Sequence, residues 1–298
     1  MTTDAAGSPG RSVTSDRDSK SEIQSHRMTV SSDDRVMVWG VPFVPWTMSQ
    51  TITAINDLIR AGRPSHFITA NTHYVMLSEN DSALRVINSN AAFIVADGMP
   101  IVWASRLGAR PLPERVAGSD LIFELSEQAA ANGYRLFLLG GGEGVAEEAG
   151  RRLTARYPGL QIVGAVCPPF GKWTPEDDAD LIERIRAARP DVLITALAMP
   201  KADHWLTANL EKLEVPVVFN CGAAVDFAAG NVRRAPHLLR SMGLEWAFRL
   251  WLEPRRLIGR YLTNAWFVAR MIANDLRNGV WRKGHASSLP PGSSPRAE

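Results

Sequence analysis

The chain has 298 residues, 45% of them apolar and 21% charged, with a formal net charge of +2. That balance belongs to a globular protein with a substantial core rather than to a disordered or fibrous one. Two cysteines, Cys167 and Cys221, have neither CxxC spacing nor clustered histidines, so a disulfide framework or zinc site has no support. No uncharged apolar run reaches the roughly 18 residues of a membrane-spanning helix.

Residues 1–35 are rich in Ser, Thr, Asp, Arg and Gly and nearly devoid of large apolar side chains, so a disordered tail is expected. The segment has no apolar signal core and is too acidic for a transit peptide. From Val36 to Gly230 apolar runs alternate with amphipathic stretches, which predicts an α/β fold with a Rossmann-like, mostly parallel sheet flanked by helices. Strands are expected at HFITAN near residue 68, AFIVAD near 95, YRLFLLG near 137, LQIVGAV near 163, DVLITAL near 194 and PVVFNCG near 218. Helices are expected over 48–61, 72–88, 119–132, 143–157, 176–188 and 201–213.

After Gly230 the composition shifts. Residues 231–283 hold eleven Lys or Arg against three Asp or Glu, and four of the nine tryptophans. Within this segment Leu257, Ile258, Tyr261, Leu262, Ala265, Trp266, Ala269 and Ile272 recur at helical spacing. Such a basic, aromatic helix suits an anionic membrane surface, and it equally suits packing on a core. Nucleic acid ranks below both, because no nucleic-acid motif accompanies the charge. Residues 284–298 form a second expected tail.

In a parallel α/β sheet, ligands bind beyond the carboxyl ends of the strands, where loops converge and helix N-termini present unpaired N–H groups. Thr69, Asn71, Asp97, Gly98, Lys201, Asp203, Gly222 and Asp226 all fall at or just after such ends. The run GGGEG, with Gly140, Gly141, Gly142 and Gly144, follows a strand and opens a helix, a geometry that suits a diphosphate. The next strand ends without a ribose-binding acid, which disfavours NAD(P) and an oxidoreductase.

Asp97 ends an apolar strand and is followed by Gly98, which permits unusual backbone angles or close ligand approach, and by Pro100. Read locally, it is either a helix N-cap or a general base at the mouth of a crevice. Arg115, in PERVAG, carries the planar fork that suits a diphosphate. Asp178 and Asp180 resemble a metal-binding pair but read better as helix-start acids, and His73 and His204 read as packing residues.

Three stretches, TANTHYVMLSENDSALRVINSNAAFIVADGMPIVWASRLGARPLPERVAGSDL, FLLGGGEGVAEEAGRRLTARYPGLQIVG and GLEWAFRLWLEPRRLIGRYL, together resemble the WecG/TagA/CpsF family of bacterial glycosyltransferases. The resemblance implies an inverting transferase needing neither metal nor cofactor. It would move a sugar from a UDP-sugar to a polyprenyl-diphosphate-linked sugar at the cytoplasmic face of the plasma membrane. It casts Asp97 as the base, Thr69 and Asn71 as polar partners and Arg115 as a ligand of substrate or leaving group. The C-terminal appendage would reach the membrane and bring Arg255, Arg256 and Arg260 to the site. Homo-oligomerisation is left open. One departure stands out: ALAMPKADHW carries Ala202 where the family commonly has glutamine and Asp203 where it has glutamate. A non-catalytic nucleotide-sugar or lipid-binding protein is therefore the alternative.

Overall fold

The computed structural model describes residues 34–279 except 170, 172, 237 and 240–242, and omits the side chain of Arg256. The two expected tails lie almost wholly outside the described residues.

The chain opens with an antiparallel hairpin, β1 (Val36–Val38) and β2 (Val41–Phe43), ahead of the first strand expected from the sequence. Its turn places Trp39 at φ 49° and Gly40 at φ 81°. A two-residue turn with both φ values positive matches the twist of the flanking strands. The helix α1 (Met48–Ala61) follows, capped by Thr47 and Gln50 in a reciprocal capping box and ended by Gly62 in the left-handed region.

The run around residue 68 forms two short strands. In β3 (Ser65–His66) the chain pairs with β9 (Val217–Asn220), and in β4 (Ile68–Ala70) it pairs with β5 (Ile94–Ala96). Further strands are β6 (Arg135–Gly140), β7 (Gln161–Val166) and β8 (Val192–Ala196), giving a five-stranded parallel sheet in the order β3-β9-β8-β6-β7. The β3–β4 segment joins that sheet to the parallel β4–β5 pair, and the expected Rossmann-like α/β architecture is the one found.

Both faces of the sheet are covered, which explains why its strands read as unbroken apolar runs. Leu136 and Leu138 of β6 face one apolar cluster, while Phe137 and Leu139 face another. The first is shared with α1, α5 (Gly118–Asn132), α6 (Val145–Arg156) and α9 (Ala224–Ala229); the second with α7 (Pro175–Ala188) and α8 (Lys201–Leu213). A third cluster joins the hairpin to α2 (Thr72–Asn80), α3 (Ser82–Asn90) and α4 (Met99–Ser105).

The helix expected over 72–88 is in fact α2 and α3. Asp81 breaks it, because its side chain accepts from the Ala83 and Leu84 N–H groups and caps α3. An aspartate that bonds the backbone ahead of it competes with helix continuation. Beyond residue 230 the chain forms α10 (Glu245–Leu252) and α11 (Pro254–Arg277), and Phe267 of α11 is buried in the third cluster.

Candidate active site

Asp97 leaves the carboxyl end of β5, its N–H donating to the Ala70 carbonyl at the end of β4. It does not cap the helix that follows it: the N-cap of α4 is Gly98. Instead its Oδ2 accepts from the N–H of Gly118, the first residue of α5, at 3.1 Å. The carboxylate thus faces the positive end of a helix that begins 21 residues later, across the PERVAG loop. Gly98 has φ −179°, ordinary extended backbone, so of the two reasons for a glycine there the backbone angle does not apply. Its environment is close but open enough for contact, with Thr72 Oγ1 3.6 Å from where a Cβ would stand.

Arg115 lies beside this carboxylate and is held by two others. Its Nη1 donates to Glu245 Oε2 at 3.1 Å and its Nη2 to Asp120 Oδ2 at 3.4 Å. Asp120 also takes a bond from Arg234, whose guanidinium stacks over Phe123 and Phe227. Burial pushes the Asp97 carboxyl up to about 7, against the pull of Arg115 and of the Gly118 N–H; Glu245 and Asp120 push it further up. A base with that value is half-ionised at neutral pH, where general-base catalysis is most effective.

The carboxyl end of β9 closes the other side. Thr69 is buried and its hydroxyl donates to the Asn220 carbonyl at 3.0 Å, so it ties β4 to β9. Asn220 in turn accepts from Thr195 and from the Leu197 N–H, pinning the exit of β8. A Cβ on Gly118 would meet Cys221 Cβ at 3.4 Å and Asp97 Oδ2 at 3.5 Å, so strands β5 and β9 meet over this glycine. Burial pushes the Cys221 thiol up to about 12, which leaves it a packing group.

The remaining expected residues fall in several places. Asn71 caps α2, its Oδ1 accepting from the Tyr74 N–H. Gly140 has φ 110°, and a Cβ there would lie 2.6 Å from the Ala196 carbonyl oxygen, while Gly141 and Gly144 also have positive φ. The glycine turn is therefore required by the backbone itself. It follows β6, which β8 separates from β9 in the hydrogen-bonded order of the sheet. Glu143 and Glu147 beside the turn place negative charge close to Cys167, whose thiol burial pushes up.

Lys201 is exposed, but Ala202 and Asp203 are buried at the start of α8. Asp203 faces His66 at 3.9 Å; burial raises its carboxyl to about 7 and lowers the His66 imidazole to about 4. Asp203 is thus placed in the interior, facing His66. Position 202 is buried as well. Gly222 and Asp226 follow β9, with Gly222 in the left-handed region and Asp226 in the first turn of α9.

Of the three appendage arginines, Arg260 acts electrostatically on His73 at the start of α2, Arg255 is exposed, and the Arg256 side chain lies outside the described residues. Asp178 receives a bond from the Trp205 indole and joins α7 to α8. Glu114 accepts from the Met48 N–H at the start of α1 and so serves that helix rather than Asp97. Among the described residues no group of three or more His, Cys, Asp or Glu could hold a metal ion.

Sequence reading missed Asp120, Arg234 and Glu245. A signal existed for the last: an acid in the apolar run GLEWAFRLWL needs a partner wherever it is buried.

The family model described as "Glycosyl transferase WecG/TagA/CpsF family" matches residues 36–280. The chain belongs to this family of glycosyltransferases. Relatives from Staphylococcus aureus, among them those of strains NCTC 8325 / PS 47 and COL, are 28% identical over 232 residues, covering 77% of this chain and 89% of theirs. That of strain MRSA252 shows the same identity and coverage. Each is named N-acetylglucosaminyldiphosphoundecaprenol N-acetyl-beta-D-mannosaminyltransferase. The matched span takes in Asp97, Arg115, the glycine turn and the segment through α11, so the family likeness covers every element of the site described above.

Proposed function

We propose that this protein transfers a sugar, with inversion and without a metal, from a UDP-sugar to a sugar carried on a polyprenyl diphosphate. Asp97 takes the proton from the acceptor hydroxyl as that oxygen attacks the anomeric carbon opposite the departing UDP. The observation that carries this reading is the Asp97 carboxyl itself: part-buried beside Arg115, at a sheet's carboxyl edge, with its proton affinity raised to about 7. Positioned proton transfer of this kind contributes about 10²–10⁴ in rate.

The departing diphosphate gains negative charge, and Arg115 is the guanidinium nearest the base. The names of the relatives make N-acetylmannosamine the first donor sugar to test and N-acetylglucosaminyl diphosphoundecaprenol the first acceptor. Ala202 supplies no side-chain amide where the family commonly has glutamine, so in this reading other groups recognise the donor sugar.

A lipid-linked acceptor requires approach to a membrane, and α11 supports it. One face of the helix buries Leu257 and Phe267, while Ile258, Leu262 and Trp266 form an exposed stripe at four-residue spacing. Trp246 and Trp251 of α10 are exposed as well. We take this stripe, with its flanking arginines, as the membrane-facing surface at the cytoplasmic leaflet.

The test is UDP release by the purified full chain, given UDP-N-acetylmannosamine and the lipid-diphosphate sugar. Turnover that is absent from Asp97→Asn supports the assignment. Full turnover by Asp97→Asn refutes the base; tight UDP binding without turnover for any sugar supports the non-catalytic alternative.

A further inference from the structure

The C-terminal segment does more than lie against the catalytic domain: it enters the electrostatics of the base. Gly243, at φ 72°, presses on the corner that follows Asp97, where a Cβ would stand 2.3 Å from Met99 Cγ. Two residues later Glu245, in the first turn of α10, reaches Arg115 across 130 positions of sequence. Only 6% of Glu245 is exposed, and its second oxygen, Oε1, is buried without a hydrogen-bond partner. A nearly buried carboxylate that meets one guanidinium is costly to maintain, so its presence needs a reason.

We propose that Glu245 is a positioning residue: it holds the Arg115 guanidinium and so links the C-terminal segment to the carboxylate of Asp97. The inference rests on the reading of Asp97 as the base. Two carboxylates, Glu245 and Asp120, each hold one terminal nitrogen of Arg115, which fixes the plane of its fork. Arg234 secures Asp120 from the other side. The groups that face Asp97 are then Arg115 from the PERVAG loop, Asp120 and the Gly118 N–H from α5, Glu245 from α10, and the Cys221 thiol after β9.

Arg115 and the Gly118 N–H favour the ionised carboxylate; Glu245 and Asp120 oppose it. Removing the charge of Glu245 takes away one opposing group and leaves Arg115 less engaged. Both changes favour the ionised form of Asp97. A docked C-terminal segment therefore keeps the base ready to accept a proton at neutral pH, and a displaced one makes it a weaker base.

The experiment follows Asp97 directly, by the carboxyl ¹³C shift in full-length protein labelled at aspartate Cγ, with Asp97→Asn for assignment. In Glu245→Gln, which keeps a hydrogen-bond acceptor for Arg115 but no charge, the Asp97 midpoint falls by about one pH unit, as expected for one unit charge in a half-buried site. In Glu245→Asp, which keeps the charge, it stays near that of the unmutated protein. A residue that only packs would move neither. An unchanged or raised midpoint in Glu245→Gln overturns the proposal, as does an equal fall in both variants. If Glu245→Gln does not fold, a displaced midpoint in Glu245→Asp overturns it and a retained one supports it. UDP release measured on the same samples separates the two readings. If the unmutated protein shows no turnover, the transfer reading fails, while the titration still decides the role of Glu245.

Discussion

In the role proposed for it, Asp97 would serve function at the expense of stability. Its folded-state affinity for a proton, near 7, lies above the ordinary carboxylate value of 3.8 because burial penalises the charge. Between those two pH values the folded chain binds a proton that the unfolded chain has released, so stability falls as pH rises from about 4 to 7 and stays low above it. Asp97→Asn removes that cost while its amide oxygen can still accept from Gly118. We expect the variant to lose catalysis yet to be more stable at pH 8 by about 2 kcal/mol, the full shift being discounted for the carboxyl's residual contact with water. Thermal unfolding at pH 5 and pH 8 checks this, since the gain must shrink at the lower pH. With Asp97 as the proposed base, kcat/KM of the unmutated protein is expected to rise with pH through about 7 as that carboxyl ionises. Arg115 sets the opposite case. Arg115→Met leaves Glu245 buried beside an apolar side chain, and removing one partner of such a pair costs about 3–5 kcal/mol. Chemical denaturation of Arg115→Met alone and with Glu245→Gln measures it, the double variant recovering most of the loss.

At the scale of elements, what was legible in the sequence followed from burial. The strands β6, β8 and β9 carry continuous apolar runs because helices cover both faces, and the glycine turn after β6 was visible because its backbone forbids a side chain. The hairpin was not legible: Trp39 takes a left-handed φ that its side chain does not advertise. The break between α2 and α3 was hidden because Asp81, a surface acid by composition, acts as a cap only in its folded position. Asp97 and Arg115 could be singled out from local pattern and resemblance, but their neighbours Asp120, Arg234 and Glu245 come from helix starts and a distant segment that no local spacing connects. Helix α11 was ambiguous for a different reason, in that it is apolar on both faces, with Phe267 packed inward and Leu262 and Trp266 outward. If the outward stripe is membrane-facing, Leu262→Glu with Trp266→Glu weakens binding to anionic vesicles at least tenfold. Because both side chains are largely exposed, stability changes by less than about 0.5 kcal/mol each. Co-sedimentation and unfolding on the same samples check the two halves, and undiminished vesicle binding assigns the stripe another role.

Over the whole molecule, the two ends of the described chain are fastened to each other. Trp39, in the turn of the opening hairpin, donates its indole N–H to Asp275 near the end of α11 at 3.0 Å and meets Phe267 edge to face at 5.6 Å. Arg270 pairs with Glu79 of α2 a turn earlier. The same C-terminal segment touches Met99 through Gly243 and Arg115 through Glu245, so hairpin, appendage and the Arg115 loop beside Asp97 share one connected set of contacts. The sheet does not depend on them, since the clusters around β6, β8 and β9 are built from other helices. Trp39→Ala should therefore free the appendage without melting the sheet. The lost packing and hydrogen bond amount to about 2 kcal/mol for a half-buried aromatic, which translates into roughly a thirtyfold rise in local opening. Amide hydrogen exchange resolves it: protection falls over residues 254–277 and is unchanged in β6, β8 and β9. Turnover falls with it, because an appendage that detaches takes Glu245 away from Arg115. Uniform loss of protection across the chain would instead make the hairpin part of a single cooperative unit, and the appendage would have no independent motion with which to act on the base.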